Sequence, residues 1–286
     1  MEKILVGIDE ESASQVAVDW VIARAQTRPV AIALYTAFDM ITSDPIQDVD
    51  LLERTQARIE AAAPGTVVTT ELADRSIHEG LAERSADADL LVIGSHPHRR
   101  VRSILTGALP AAIISRTRCP MVVVPDDWTP AGDRIVLGVA DDDSSDAATG
   151  FAADEARAAG VPLDAVHAWR LPVPSMDAVS SLIVPPEALQ AIHEELLTRV
   201  TERLGADAGD AVIRGILRHG DGGIELEATL DEASLLVLGT HRHGPAVGAL
   251  LGSTVQHLLH RGRVPIAIVP NHEPAGHGHP AQQAHA

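Results

Sequence analysis

The stretch GTHRHGPAVGALLGST, residues 239–254, places glycines, basic side chains and two hydroxyl groups directly before a predicted helix. A helix N-terminus carries backbone N–H groups without intrahelical partners and the positive end of the helix dipole. The backbone at Gly252, Ser253 and Thr254 could therefore hold a phosphate group. Ser253 and Gln256 also fit the S-x-x-Q pattern of a capping box, which would satisfy the helix end without a ligand. The stretch predicts either a phosphate-binding loop or a self-capped helix.

The chain repeats its own pattern of residues. Matching segments are residues 3–20 with 134–151, 87–96 with 232–241, and 118–125 with 263–270. The offset is 131 residues for the first pair and 145 for the other two, so the second copy contains a net 14 extra residues. We expect the extra residues around the proline-rich segment 170–187, because its prolines disfavour a regular helix or strand.

A polar stretch with proline and glycine, residues 126–133, has the composition of a linker between the two copies. We therefore expect a first domain at residues 1–127, a linker at 128–133 and a second domain at 134–271. The histidine-rich segment 272–286 is expected to be a disordered tail.

Short runs of Val, Ile and Leu alternate with helical patterns in both copies. Strands are predicted at Ile4–Ile8, Val30–Thr36, Thr66–Leu72, Leu90–Gly94, Met121–Val124, Arg134–Val139, Leu163–Ala168, Ala211–Leu217, Leu235–Gly239 and Ile266–Val269. Helices are predicted at Ser12–Ala25, Asp50–Ala63, Ile77–Ala86, Pro110–Arg116 and Glu187–Leu204. This alternation indicates an α/β fold of two repeated, doubly wound parallel-sheet domains. Ligands of such sheets bind at the carboxyl ends of the strands.

Composition excludes several classes of partner. A formal net charge of −18 works against nonspecific binding to nucleic acid or to anionic lipid, so any phosphate must be held locally. No apolar run is long enough to span a bilayer and no signal peptide begins the chain, so we expect a cytoplasmic protein. Cys119 is the only cysteine, which excludes an intrachain disulfide and a cysteine-based zinc site.

The chain lacks the sequence motifs of other phosphate-binding and catalytic protein classes. The chain lacks the G-x4-G-K-[ST] loop, and its first strand is followed by neither G-x-G-x-x-G nor S-G-G-x-D-S, the loops of dinucleotide-binding and nucleotide-cleaving proteins. It also lacks the G-x-S-x-G elbow. Cys119 precedes a proline at the edge of a core strand, so we expect a buried structural thiol rather than a nucleophile. Dedicated catalysis is not predicted.

From residue 3 to residue 270 the chain resembles tandem members of the universal stress protein family. The resemblance rests on the G-x2-G-x9-G-[ST] pattern after the fourth strand, on an aspartate after the first strand and on the final strands, CPMVVVP and VPIAIVP. It implies an α/β sandwich that binds ATP or another adenine nucleotide, with Mg²⁺ as a candidate companion ion. It also implies pairing of the last strands, either in a homodimer or between the two domains of one chain.

The resemblance assigns the phosphate-binding residues copy by copy. The second copy supplies Gly239, Gly252, Ser253 and the neighbouring Thr254, with Arg242 where the family prefers glycine. An arginine could pair with phosphate oxygens, or its bulk could block the approach of the ligand.

In the first copy the same pattern reads Gly94, Pro97, Gly107 and Ala108. Pro97 has no N–H to donate and Ala108 has no hydroxyl, so this loop is the poorer cradle. His96 and the nearby arginines could still neutralise a phosphate through their side chains.

The strand ends give the remaining expected contacts. Ile8 ends the predicted first strand and Asp9 follows it, where the family has an aspartate that contacts the base or the ribose; without the resemblance, Asp9 is interpreted as a cap or a turn residue. In the second copy the equivalent positions are Val139 and Ala140. By resemblance, Thr36 and Ala168, beside His167, line the adenine pocket.

The sequence therefore predicts an ATP-binding, stress-linked sensor or regulator in which a bound nucleotide alters a surface for a partner. The alternative is a scaffold that keeps the fold, has lost the ligand and works by dimerisation and contacts with partners. Pro97, Ala108, Ala140 and Arg242 motivate this alternative.

Overall fold

The computed structural model describes residues 1–37, 45–96, 113–114, 116–142, 145–171, 185–240 and 252–271. Its strands are β1 (Glu2–Gly7), β2 (Val30–Ala37), β3 (Val67–Ala73), β4 (Leu90–Ser95), β5 (Met121–Pro125), β6 (Arg134–Val139), β7 (Leu163–Trp169), β8 (Ile213–His219), β9 (Ala233–Thr240) and β10 (Ile266–Pro270). Its α-helices are α1 (Ser12–Ala25), α2 (Pro45–Ala62), α3 (Ile77–Arg84), α4 (Asp146–Ala159), α5 (Pro186–Asp207), α6 (Gly222–Glu227) and α7 (Ser253–Arg261). A short 3-10 helix, Ser85–Asp87, follows α3.

All described strands form one ten-stranded sheet in the order β3-β2-β1-β4-β5-β10-β9-β6-β7-β8. Neighbouring strands within each half are parallel, whereas β5 and β10 pair antiparallel at the centre. Val122 lies opposite Ala267, its own counterpart in the repeat, so a pseudo-twofold axis passes between these two residues. The predicted pairing of the last strands is therefore formed within one chain.

The structure confirms the predicted doubly wound α/β architecture, and most strand bounds agree to within two residues. The fully buried strands β4, β5 and β10 are nearly continuous apolar runs, as expected of parallel strands covered on both faces. Helix α2 begins at Pro45, five residues before the predicted start at Asp50, because proline fits the first turn of a helix. Of the predicted helix Pro110–Arg116, only Ile113 and Ile114 are described as helical.

Alternate residues of each strand pack into two separate cores on the two faces of the sheet. In β1, for example, Ile4 and Val6 belong to one core and Leu5 belongs to the other. The long helices α1, α2, α4 and α5 cover the first face, and the short helices α3, α6 and α7 cover the second. Because side chains along a strand alternate between the two faces with a period of two residues, each side chain at a strand end faces either the long or the short helices.

Small residues allow α4 to lie close to the sheet. Ala148, Ala152 and Ala156 recur every four residues and are fully buried. Gly160 ends the helix with a positive φ of 67°, a conformation that costs glycine little. The first residues of α4 are thereby held beside the carboxyl end of β6.

Across the described ranges, we find no helix with the length and apolar character needed to cross a membrane.

Candidate functional site

A cleft of about 680 Å³ opens in the second half at the carboxyl ends of β6, β7 and β9. It lies where the chain leaves the neighbouring strands β6 and β9 in opposite directions, the switch point at which doubly wound sheets bind ligands. Six of the residues predicted from the sequence line it together: Val139, Ala168, Gly239, Gly252, Ser253 and Thr254. The structure thus brings together the second-copy residues that it describes.

Helix α7 begins at the floor of this cleft. Gly252 is its N-cap residue, with φ −53° and ψ 153°, and as a glycine it has no side chain that could cap the helix. Ser253 is already the first helical residue, so the capping-box interpretation of Ser253 and Gln256 is wrong by one position. A Cβ atom at Gly252 would meet no atom of the described residues within 4 Å. Because Gly252, Ser253 and Thr254 line the cleft, the start of α7, where helical N–H groups lack intrahelical partners, lies at the cleft.

The start of α6 on the same side of the sheet is satisfied by the protein itself. The carboxylate of Asp221 accepts a hydrogen bond from the N–H of Gly223 at 3.0 Å. Asp221 also pairs with Arg170 at 3.2 Å. Asp221 therefore caps the start of α6, whereas the N-cap residue of α7 is a glycine without a side chain.

In the first half, Asp9 forms a local turn. One carboxylate oxygen accepts from the N–H of Glu11 at 3.0 Å, while the N–H of Asp9 donates to the hydroxyl of Ser14 at 3.0 Å. Burial raises the pKa of the Asp9 carboxyl. The second half repeats the backbone part of this turn, because the N–H of Ala140 donates to Ser145 at 2.8 Å. The backbone turn is thus present in both halves, but only the first half has a carboxylate at this position, that of Asp9.

Gly94 has a packing role. A Cβ atom there would lie 2.2 Å from the carbonyl oxygen of Ala13, so only glycine allows α1 to approach β4 this closely. Packing therefore accounts for Gly94 without a ligand.

His96 does not present its side chain to a phosphate as expected. It is buried, and its Nδ1 lies 2.6 Å from a carboxylate oxygen of Asp126. Its Nε2 lies 3.7 Å from Glu11 and forms no hydrogen bond with any described group. The His96 imidazole thus lies between the carboxylates of Asp126 and Glu11, beside the Asp9 turn of the first half.

The other first-half residues are enclosed. Ile8 is 3% exposed and donates its N–H to the carbonyl of Tyr35 at 2.9 Å, and Thr36 is also 3% exposed. Gly107 lies outside the described residues, as do Pro97, Ala108, Arg242, the segment 172–184 and the tail 272–286.

Strand register identifies the equivalent residues at the ends of β2 and β7. Gly7 lies opposite Tyr35 in the first half, and its repeat counterpart Gly138 lies opposite Val166 in the second. The next residues along β2 and β7, Thr36 and His167, are therefore equivalent. Ala168, which follows His167, lines the cleft with it.

Among the cleft residues that sequence reasoning missed are Trp169 and His193. His193 comes from α5, and its ring lies 5.0 Å from those of both Trp169 and His167. The two imidazoles are hydrogen-bonded, with 2.8 Å between Nε2 of His167 and Nδ1 of His193. A signal was available, because His193 continues the apolar stripe formed by Leu197 and Leu204 on α5.

Comparison with known proteins agrees with this architecture. The family model described as the universal stress protein family matches twice, at residues 1–125 and 132–270. Universal stress protein Rv2623 of Mycobacterium tuberculosis is 25% identical over 288 residues, covering 93% of this chain and 95% of that protein. The crystal structure of a universal stress protein from Archaeoglobus fulgidus DSM 4304 has a TM-score of 0.72 at 16% identity, covering 94% of this chain and 98% of that one. A universal stress protein solved in complex with cAMP is 24% identical with a TM-score of 0.37, covering 44% of this chain and 97% of that one.

Proposed function

The chain belongs to the universal stress protein family, and we propose that it binds ATP or another adenine nucleotide in the second-half cleft. The observation that carries the proposal is the position of the start of α7: Gly252, Ser253 and Thr254 line the cleft, and the N-cap glycine has no side chain that could cap the first backbone N–H groups. Such a helix start attracts a phosphate through N–H donors and through the helix dipole. The volume of about 680 Å³ lies within the range of small-molecule sites.

Charge in the cleft supports a local hold on the phosphates rather than long-range attraction. Asp141 and Asp142 line the cleft, and the whole chain carries a net charge of −18. Phosphate groups would therefore be held at the start of α7, with a cation between them and the carboxylates at the end of β6.

Mg²⁺ would enter together with the nucleotide. Within the described ranges, no group of three or more acidic, histidine or cysteine side chains could hold a metal ion. Asp141 and Asp142 are oxygen ligands of the kind that Mg²⁺ accepts alongside phosphates and water. The ion would thus accompany the triphosphate rather than occupy a site of its own.

We propose a sensor or regulator rather than an enzyme. Among the described cleft residues, no hydroxyl is hydrogen-bonded to a histidine, so an activated nucleophile is not assembled there. Binding would instead favour one conformation of the cleft rim and change the surface offered to a partner. The cytoplasmic location expected from the sequence stays a prediction.

One observation favours the alternative of a scaffold without a ligand, and it concerns the first half. His96 is held by Asp126 beside the Asp9 turn, and packing explains Gly94. We therefore propose nucleotide binding for the second half alone, with the first half serving as its structural partner.

Equilibrium dialysis with radiolabelled ATP and Mg²⁺ tests the proposal. The Gly252→Leu variant fills the open space before α7 and should weaken binding by at least about tenfold. Gly205→Leu is the matched control, because a Cβ at Gly205 also meets nothing within 4 Å and the residue lies on α5 outside the cleft. The absence of ATP binding by the unmodified protein at millimolar nucleotide would overturn the proposal and leave the scaffold.

A further inference from the structure

His193 occupies a position where the packing of α5 calls for an apolar side chain. Along this helix His193, Leu197, Val200 and Leu204 recur at intervals of three or four residues and face the sheet. Leu204 is fully buried and Leu197 is 7% exposed, whereas His193, nearest the strand ends, lines the cleft. At the cleft the stripe thus contains a side chain that can both pack and form hydrogen bonds.

Hydrogen bonds fix the tautomers of the two imidazoles. A carbonyl oxygen can only accept, so Nδ1 of His167 donates to the carbonyl of Val139 at 2.8 Å. With both rings neutral, Nε2 of His167 then accepts from Nδ1 of His193 at 2.8 Å. The remaining nitrogen, Nε2 of His193, carries a lone pair and can only accept. No described group forms a hydrogen bond with this atom.

Packing holds the acceptor in place. His167 is 2% exposed, and its register opposite Val139 positions its ring at the end of β6. Trp169 lies nearly parallel to the His193 ring, with an interplanar angle of 24°. His193 is therefore restrained by a hydrogen bond on one side and by an indole on another, and it loses little side-chain entropy on binding a ligand.

Charged and titratable groups surround the pair on several elements. Asp141 lies at the end of β6, and Arg170 and Asp221 form an ion pair beyond the ends of β7 and β8. His219 of β8 contacts the edge of Trp169. Burial, followed by the neighbouring His167, holds the pKa of His193 below its ordinary value, and Asp141 opposes this shift.

We propose that the His167–His193 pair recognises the base in the second-half cleft: Nε2 of His193 accepts a hydrogen bond from the exocyclic amino group of adenine. The inference rests on the nucleotide binding proposed above and names the chemical group that selects the base. A purine without a 6-amino group leaves the acceptor unpaired on binding, which costs affinity. Protonation of His193 converts Nε2 into a donor and removes the preference for the amino group.

Two triphosphates that differ in one group provide the test. Purine riboside 5′-triphosphate lacks the 6-amino group of ATP and is otherwise identical, so it keeps every phosphate and ribose contact. At about pH 8, where histidine is neutral, the unmodified protein should bind ATP about tenfold more tightly than this analogue. The ratio should decline as the pH falls below about 6.5 and should approach one once His193 is protonated, which is followed by NMR of the imidazole in the same samples.

Two variants assign the preference to the pair. His193→Leu extends the apolar stripe of α5 and should bind the two triphosphates equally across the same pH range. His219→Leu is the matched control, because it removes a histidine that contacts Trp169 outside the cleft lining. This control should keep both the preference and its dependence on pH. If His193→Leu fails to fold, the pH dependence of the ATP preference in the unmodified protein tests the proposal instead.

The outcomes separate this inference from the function on which it rests. Equal binding of both triphosphates by the unmodified protein at about pH 8 overturns base recognition by His193 and leaves nucleotide binding standing. A preference that persists in His193→Leu, or in the unmodified protein at a pH where His193 is protonated, also overturns it. Binding of neither triphosphate at millimolar concentration overturns the nucleotide-binding proposal, and the base-recognition proposal falls with it.

Discussion

Arg24 and Glu155 are equivalent residues of the two halves, 131 positions apart, and they form a buried ion pair with two hydrogen bonds. Nη1 and Nη2 of Arg24 lie 2.7 and 2.6 Å from the carboxylate oxygens of Glu155. On a pseudo-twofold axis a position meets its own counterpart, as Val122 meets Ala267 in the sheet. Two identical halves would bring like charges together here, so the unlike charges favour pairing of a first half with a second half.

Reversal of one charge should therefore destabilise the whole molecule. Arg24→Glu would place a third carboxylate beside Glu2 and Glu155, which both accept hydrogen bonds from Arg24. Removal of one partner of a buried ion pair lowers the free energy of unfolding by about 3–5 kcal/mol. Urea unfolding of the variant measures this loss. The double variant with Glu155→Arg should recover part of the loss, although Glu2 then lacks its partner.

The exposed pair of Arg199 and Glu195 supplies the control for this charge reversal. These residues lie four apart on α5 at 2.9 Å, with Arg199 59% exposed. Arg199→Glu should cost about 0.5 kcal/mol or less. A loss of similar size for Arg24→Glu would show that the buried pair does not stabilise the association of the halves.

A second prediction concerns the contact between β4 and α1. Gly94→Ala would place a Cβ 2.2 Å from the carbonyl oxygen of Ala13, and both atoms belong to rigid elements. Because α1 and β4 would have to move apart, the free energy of unfolding should fall by about 1–3 kcal/mol, as measured by urea unfolding. Gly150→Ala on α4 is the opposite case, because its Cβ meets nothing within 4 Å. Alanine there should stabilise the helix by up to about 1 kcal/mol, and equal effects at both sites would contradict the packing role of Gly94.

Local patterns were sufficient to predict most of the sheet. Continuous apolar runs such as Leu90–Gly94 and Ile266–Val269 are confirmed as buried strands, because a parallel strand covered on both faces needs little else. The family resemblance, carried onto the second copy, pointed to residues that line the second-half cleft. Side-chain partners that are distant in the sequence could not be predicted in this way. His167 and His193 are separated by 26 positions, and only the register of β7 and the docking of α5 bring them together.

Glycine positions show a second limit of sequence reasoning. Gly94 and Gly239 occupy the same place in the repeat, and the glycine motif assigns both of them, together with Gly252, to phosphate loops. The structure shows that Gly94 is required by the backbone of α1, whereas Gly252 faces open space. A glycine that avoids a clash and a glycine that admits a ligand look the same in the sequence, because both require only the absence of a side chain.

Cys119 should be unreactive while the protein is folded. The thiol is 4% exposed, and burial raises the pKa of Cys119 to about 12. Because the thiolate is the reactive form, a thiol reagent at about pH 8 should label the native protein far more slowly than the unfolded chain. Labelling followed by absorbance, with and without guanidinium chloride, measures both rates. Rapid labelling of the native protein would contradict the burial of this side chain.

Acid should destabilise the protein partly through His193. Its pKa is lowered in the folded state by burial and by His167, so the unfolded chain takes up the proton first as the pH falls. Stability is therefore retained above the ordinary histidine pKa of about 6.5 and is lost as the pH falls from there toward the lower folded value. His193→Leu, which has no proton to bind, should lose less stability over this window in urea titrations at a series of pH values. His260→Leu is the control, because His260 is an exposed α7 residue that bonds only to the carbonyl of Gln256 at 2.7 Å. If both variants follow the pH dependence of the unmodified protein, the imidazole pair does not contribute to acid sensitivity.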